Sequence, residues 1–326
     1  MLNRRSLIAR VAAAPAGLIL AAGSAHAATS SFNDFLADAA AEARRGGVSE
    51  QTLRRAFANL QPNEKVLELD RRQPEFTLTW EQYRDGRLST QRIERGQQMV
   101  RENQPLLDAV WQRYGVSPRI IIAIWGLETN YGGFTGNYNV VEALATLAWD
   151  GRRASFFRKE LMAALRILQA GDVTPERMRG SYAGAMGNPQ FMPTSFERLA
   201  VDFDGDGRRD IWDNRADSLG SIANYLARSG WKEDERWGRE VRLPSGFDPS
   251  LAGRSTRRPL RDWVRMGVAA ADGTALPPLD MQTSILLPGG PGGQAFAVYG
   301  NFNVIRRYNP SDFYALVIGL LSDRVA

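Results

Sequence analysis

Cysteine is absent from this 326-residue sequence, and histidine occurs once. Without cysteine the chain cannot build thiolate zinc sites, iron–sulfur clusters, a disulfide framework or a cysteine nucleophile. The one histidine, His26, lies in a segment that reads as a removable leader. A mature chain without it has no Ser-His-Asp triad, no Cys-His dyad and no HExxH zinc site. Lysine is scarce too: only Lys65, Lys159 and Lys232 stand among the 41 basic residues. Acid–base chemistry therefore falls mainly to Asp and Glu. The sequence also lacks a P-loop and a strand–GxGxxG–helix unit, which disfavours a nucleotide-binding enzyme. What is present is ordinary globular composition, 44% hydrophobic and 24% charged. The length fits about two domain-sized units.

Residues 1–27 have the layout of an export signal. Arg4, Arg5 and Arg10 precede an apolar stretch from Val11 to Ala22, and Ala25-His26-Ala27 is a small-x-small cleavage site. The apolar stretch falls short of the about 20 residues a membrane anchor needs. The signal is expected to be cleaved near Ala27, leaving no membrane anchor. Asn3-Arg4-Arg5-Ser6-Leu7-Ile8 partly resembles a twin-arginine leader. Removing three arginines leaves 38 basic against 36 acidic residues, about +2 in place of +5. That balance, with no concentrated basic face, argues against a nucleic-acid partner.

The mature chain divides by character into three stretches. Residues 28–115 form a helical region. Phe32, Phe35, Leu36 and Ala39 follow helical spacing, Ser49 is placed to cap a second helix, and a third is expected from Ser89 to Asn103. Glu102 to Tyr114 also reads as helix, broken or kinked at Pro105. Residues 116–235 form the second stretch. Ser117-Pro118 starts a helix whose Ile120, Ile121, Ile122, Ile124, Trp125 and Leu127 leave almost no polar face, so it should be buried, with Gly132 and Gly133 as its stop. Further helices are expected around 141–148, 155–170 and 216–229. Residues 236–326 are richer in Gly, Pro and β-prone runs. Thr283–Leu287 and Ala295–Tyr299, separated by Gly289-Gly290-Pro291-Gly292-Gly293, read as a hairpin, and Ser311 to Ser322 as a closing helix. The fold class is α+β, mainly helical.

Glu128 directly follows Ile-Ala-Ile-Trp-Gly-Leu. A carboxyl one turn from Ile124 and Trp125 should be partly desolvated, which raises its pKa into the range a general acid requires. The same spacing also fits an exposed Glu at a helix end, or a buried ion pair with Arg. The neighbouring motifs narrow the choice. Glu128-Thr129-Asn130-Tyr131-Gly132 resembles the catalytic Glu motif of lytic transglycosylases with the lysozyme-like fold. The run Ser181-Tyr182-Ala183-Gly184-Ala185-Met186-Gly187-Asn188-Pro189-Gln190-Phe191-Met192-Pro193-Thr194-Ser195-Phe196 resembles the central motif of the lytic murein transglycosylase B family. Asp70-Arg71-Arg72-Gln73-Pro74-Glu75, Ala145-Thr146-Leu147-Ala148 with Arg152-Arg153 and Phe156-Phe157, and Asn301-Phe302 with Tyr308-Asn309 fit it in order. The resemblance runs from about residue 32 to 322.

The resemblance implies a lysozyme-like catalytic core at 116–235, walled by the N-terminal helices and a small C-terminal strand-rich module. It implies cleavage of the β-1,4 bond between N-acetylmuramic acid and N-acetylglucosamine in peptidoglycan, leaving 1,6-anhydromuramoyl ends. Glu128 would act as acid, then as base, with no catalytic cofactor. Ser181, Gln190, Tyr225, Tyr308 and Asn309 would line the glycan groove. Arg152 and Arg153 would meet lactyl or peptide carboxylates, where a guanidinium fork fits. Each aromatic could instead be core, and the Arg pair a solvated helix start. Asn188 occupies a position that varies in the family and is expected to bear on the floor of a subsite. The partner implied is the peptidoglycan glycan strand, in the periplasm; no motif specifies a protein partner. The chain's end at Ala326 suggests no separate C-terminal wall-binding module. A hydrolytic muramidase and a non-catalytic peptidoglycan-binding protein are the alternatives.

Asp202-Phe203-Asp204-Gly205-Asp206-Gly207-Arg208 fits the start of an EF-hand calcium loop, with carboxylates at positions 1, 3 and 5, Gly at 6 and the Arg208 carbonyl at 7. Position 12 is Asp213, whereas the family's longer loop would place its last ligand at Asp217. A structural Ca²⁺ is one reading. A solvated Asp/Gly turn stabilised by Arg208, Arg209 and Arg215 is the other.

Overall fold

The computed structural model describes residues 31–71 and 78–325. The leader at 1–27, and Arg72 to Glu75 of the Asp70–Glu75 stretch, lie outside the described residues. Six helices come first: α1 (Phe32–Arg45), α2 (Glu50–Ala56), α3 (Glu64–Arg71), α4 (Trp80–Arg87), α5 (Thr90–Glu102) and α6 (Gln104–Tyr114). Then follow α7 (Pro118–Thr129), strand β1 (Tyr138–Asn139), α8 (Val140–Asp150), α9 (Ala154–Ala170), β2 (Arg179–Gly180), α10 (Pro193–Leu199) and α11 (Arg215–Arg228). The last stretch holds β3 (Gly238–Arg242), β4 (Arg258–Pro259), α12 (Leu260–Arg265), β5 (Ala269–Ala270), β6 (Gln282–Leu286), β7 (Ala295–Val298), α13 (Gly300–Tyr308) and α14 (Asp312–Arg324).

Local chemistry explains the boundaries. The hydroxyls of Ser31, Ser49, Ser89 and Ser311 accept backbone N–H groups at the starts of α1, α2, α5 and α14. Each such cap contributes about 1 kcal/mol. Two expectations need correction. Pro105 does not kink a continuous helix: α5 ends at Glu102, and Pro105 sits in the first turn of α6, where its missing N–H costs nothing. The stop of α7 is not Gly132-Gly133 but Asn130, in the left-handed region at φ 51°. Its short polar side chain tolerates that conformation better than most residues.

The apolar residues gather into three clusters that do not follow chain order. Helices α1 to α3 pack on α8 and α9. A second cluster joins α4 to α7 with α11, α13 and α14. The third lies between α12 and an antiparallel sheet of order β4-β6-β7-β3-β5. The expected hairpin is β6–β7, in register Ser284↔Val298 and Leu286↔Phe296. At the centre lies α7, with Ile121, Ile122, Ala123 and Ile124 fully buried. It is covered by α5, α6, α11 and α14. Burying one such isoleucine stabilises by roughly 2 kcal/mol, so α7 is a rigid beam, and its last turn is where Glu128 sits.

Candidate active site

Three devices hold the end of α7. The Thr129 hydroxyl donates to Trp125 O (3.2 Å) and accepts Gly132 N–H (3.1 Å). The Tyr131 hydroxyl donates to Arg92 O on α5 (2.8 Å). The Tyr131 side chain fills a slot made by two glycines: a Cβ at Gly126 would come to 2.5 Å of its ring, and one at Gly96 to 2.5 Å of its hydroxyl. The motif after Glu128 is therefore a clamp between α5 and α7, and it fixes where the carboxyl points.

Glu128 is half-buried, and the Tyr314 hydroxyl on α14 donates to its Oε1 at 2.6 Å. Desolvation pushes the carboxyl up to about 7; the Tyr314 bond opposes the rise by favouring the ionised form. Tyr308 also lies close enough to feel the Glu128 charge, and burial together with that charge holds the Tyr308 and Tyr314 phenols protonated. The neighbours acting on Glu128 among the described residues are thus phenols, not a second carboxylate. A carboxyl near 7 can give a proton and take one back at neutral pH.

Tyr314 escaped the sequence reading, because no spacing relates positions 128 and 314. Tyr314→Phe removes a donor to the carboxylate. The carboxyl then stays protonated to higher pH, so the basic limb of kcat/KM should move alkaline by about one unit. An unmoved limb would mean that Tyr314 only packs.

The 181–196 run folds into a tight hairpin. Met186 and Phe191 exchange backbone bonds (Met186 N to Phe191 O 2.8 Å, Phe191 N to Met186 O 3.1 Å) around a Gly-Asn-Pro-Gln tip. Gln190 there is left-handed at φ 52°. Its Nε2 donates to Thr135 O (3.0 Å) and Gly187 O (2.8 Å), leaving Oε1 to accept. The Ser181 hydroxyl oxygen accepts Ala183 N–H (3.3 Å) and Ala185 N–H (3.0 Å), leaving its O–H to donate. The buried Glu160 carboxylate holds the hairpin's far end through Thr194 N and Oγ1 (2.9 and 2.7 Å).

The Tyr225 and Tyr308 rings meet at a tilt with centroids 4.6 Å apart, and Phe191 lies 5.7 and 5.8 Å from them. The Tyr308 hydroxyl donates to Pro189 O at the hairpin tip (2.6 Å), and Tyr225 donates to Arg307 O. Tyr308 thus links the hairpin to the neighbourhood of Glu128. The side chain of Asn309 accepts Ser311 N–H (3.1 Å) and shapes the turn into α14.

Three placements differ from expectation. Asn188 is buried: its Oδ1 accepts the Trp125 indole N–H (2.8 Å), and its Nδ2 donates to Trp212 O (2.9 Å) and Ile211 O (3.3 Å). It is a strut between α7 and the loop before α11, not a subsite floor. Arg152 and Arg153 each direct Nη2 at the buried Asp70, Arg153 at 2.7 Å, which ties α3 to the α8–α9 turn while both arginine side chains stay exposed with their other donors open. In the acidic loop, only Asp202, Asp204 and Asp217 bring carboxylate oxygens within 4.8 Å of one another. Asp206 instead accepts Arg208 N–H (2.9 Å) and pairs with the Arg208 guanidinium (3.3 Å). Asp213 pairs with Arg177. Asp217 is fully buried and accepts Phe203 N–H and Asp210 N–H, each at 2.7 Å. Burial and the Asp204 and Asp202 charges push it up to about 6.

Residues 31–323 match the family described as transglycosylase SLT domain. The chain belongs to the transglycosylase SLT domain family. Membrane-bound lytic murein transglycosylase B of Escherichia coli is 36% identical over 256 residues, 76% of this chain and 67% of that protein. The crystal structure of Pseudomonas aeruginosa SltB3 in complex with NAG-anhNAM-pentapeptide superposes with a TM-score of 0.88 at 49% identity, covering 90% of this chain and 79% of that one. The structure of the E. coli lytic transglycosylase Slt35 in complex with calcium gives a TM-score of 0.75 at 30% identity, covering 92% and 93%. Family membership makes the chain a lytic transglycosylase, and the α+β architecture, mainly helical, is that of its structural relatives.

Proposed function

We propose that this enzyme cleaves the β-1,4 bond between N-acetylmuramic acid and N-acetylglucosamine in peptidoglycan and leaves a 1,6-anhydromuramoyl end, with Glu128 as the one catalytic carboxyl. The observation that carries this reading is Glu128 itself: pushed up to about 7, hydrogen-bonded by one phenol, and with no second carboxylate acting on it among the described residues. Most glycosidases need two carboxylates, one acid and one base or nucleophile. A single one must serve twice. Glu128 gives its proton to the glycosidic oxygen as the bond to muramoyl C1 breaks. The substrate's 2-acetamido oxygen takes up the vacated bond as an oxazolinium. The Glu128 carboxylate then removes the C6 hydroxyl proton, O6 attacks C1, the oxazolinium opens, and the carboxyl is restored. Ser181 O–H and Gln190 Oε1 are open to donate to and accept from the sugar, and the Tyr308 hydroxyl holds the hairpin tip next to Gln190 through Pro189 O. Peptidoglycan as substrate is supported by the names of the matched relatives. Digestion in heavy-oxygen water tests the chemistry: the new muramoyl ends should carry no solvent oxygen, whereas uptake of label would mean hydrolysis.

The leader supports export to the periplasm with cleavage near Ala27, and among the described residues no helix is long and apolar enough to cross a membrane. For the acidic loop we infer a hard-oxygen cation such as Ca²⁺, held by Asp202, Asp204 and Asp217. The fit rests on three converging carboxylates, one of them, Asp217, buried and in no ion pair among the described residues. The ion would tie the loop to α11 and neutralise their mutual repulsion. Calcium added in excess after chelation should raise the melting temperature by a few degrees. Asp204→Asn should lose that response. An unchanged melting curve would favour a plain Asp/Gly turn.

A further inference from the structure

Among the described residues five large apolar side chains are exposed, and Phe134 is the most exposed of them at 69%; the others lie between 42% and 48%. Its ring joins none of the three apolar clusters. Single apolar side chains are common on protein surfaces and mean little by themselves. Phe134 is set apart by its place.

Phe134 lies on the loop that leaves α7 after Glu128, and consecutive residues of that loop are anchored to different parts of the site. The Phe134 N–H donates to the carbonyl of Thr129, the residue after Glu128 (3.0 Å). The Thr135 carbonyl accepts from Gln190 Nε2 (3.0 Å). Gly136, at φ 88°, lies close against the backbone of Gly180 and Ser181: a Cβ there would come to 2.7 Å of Ser181 N. Residues 134, 135 and 136 thus touch in turn the end of the Glu128 helix, Gln190 and Ser181. The Phe134 side chain emerges from a backbone fixed between the acid and the two groups open to the sugar, and it stays in solvent.

Ser181 and Gln190 offer a donor and an acceptor, which suit hydroxyl and acetamido groups. Neither covers the C–H face of a sugar ring. Of the other rings near Glu128, Tyr314 is buried, and Tyr308, Tyr225 and Phe191 pack on one another. Phe134 brings an uncovered one. A β-1,4-linked pyranose carries its substituents around the rim and turns axial C–H groups to its faces. A phenyl ring removes those C–H groups from water and sets its negative face against them. On an anchored loop it has only two side-chain angles to lose, so little order is lost on binding.

We propose that Phe134 is a substrate-binding residue, a platform on which the C–H face of a glycan ring beside the scissile bond rests. The proposal rests on the peptidoglycan reading.

Binding in a cleavage-deficient background tests this independently of which product is formed. Glu128→Gln, with and without a change at Phe134, is titrated with amidase-stripped glycan strands and with strands that keep their stem peptides. Phe134→Ala should weaken binding to both about five- to tenfold, with an unchanged melting temperature, because the ring packs on no cluster. Phe134→Leu keeps apolar bulk without the flat face and should lose nearly as much. Phe134→Trp should bind at least as well as the parent, and its added indole emission should shift to the blue when stripped strands bind, beyond the change seen with Glu128→Gln alone. Equal affinity for Phe134→Ala, or an added indole that does not respond to strands, would overturn the proposal. So would a loss that comes with a lowered melting temperature, which would make the residue structural, or a loss confined to peptide-bearing strands, which would set the ring against the stem peptide. If Glu128→Gln itself bound neither material, the peptidoglycan reading would fall, and the proposal with it.

Discussion

Glu128→Gln is expected to leave a folded protein that still binds glycan strands but releases product at least about a thousandfold more slowly. General acid–base catalysis supplies roughly 10²–10⁴ in rate for one proton transfer, and here one carboxyl performs two. The amide is isosteric and still accepts the Tyr314 hydroxyl through its oxygen, so the surroundings of α14 need not move. The same substitution should change stability in a pH-dependent way. The folded carboxyl titrates at about 7, above its ordinary 4.5. The folded protein therefore holds a proton that the unfolded chain gives up between those values. Glu128 is best tolerated below about pH 4.5, and the fold loses stability as pH rises through about 7. Glu128→Gln should then melt higher than the parent at pH 8 and similarly at pH 4. The gain is on the order of 1–2 kcal/mol, discounted because the residue keeps an exposed face. Thermal melts at the two pH values check it. A variant that still cleaved at near parental rate would remove Glu128 from the chemistry.

Asn188→Ala should be among the most destabilising changes near the site, lowering stability by about 2–4 kcal/mol. It strips the Trp125 indole N–H of its acceptor and leaves Trp212 O without its donor, all in a buried region. Each buried polar group left unmatched costs about 1–3 kcal/mol. The indole belongs to α7, three residues before Glu128, so kcat should fall along with the melting temperature. Denaturant unfolding with parallel turnover measurements would show both. A variant that melted like the parent and altered only the choice among glycans would restore Asn188 to the floor of a subsite.

These two residues show what was legible in the sequence. Glu128 was legible because its surroundings are consecutive: an apolar run makes the buried helix, and the carboxyl at its end inherits the desolvation. The helix starts at Ser49, Ser89 and Ser311 were legible because capping is local. The β6–β7 hairpin was legible because a Gly/Pro turn parts two β-prone runs. Asn188 was misread because nothing local says whether an amide in a loop faces solvent or an indole 63 positions away. The pairing of Arg152 and Arg153 with Asp70 was hidden because Asp70 is 82 and 83 positions distant. Tyr314 was invisible for the same reason. The Pro105 kink and the Gly132 stop failed more narrowly. Both rested on residue preferences, while the observed helix ends were set by Asn103 and Asn130.

The central claim is that one desolvated carboxyl closes an anhydro ring instead of admitting water. Mass spectrometry of the muropeptides released from purified peptidoglycan tests it most directly, with Glu128→Gln run beside the parent. The expected products are one water lighter than reducing muropeptides and are absent with the variant. Reducing ends from the parent, or anhydro products persisting with the variant, would contradict it.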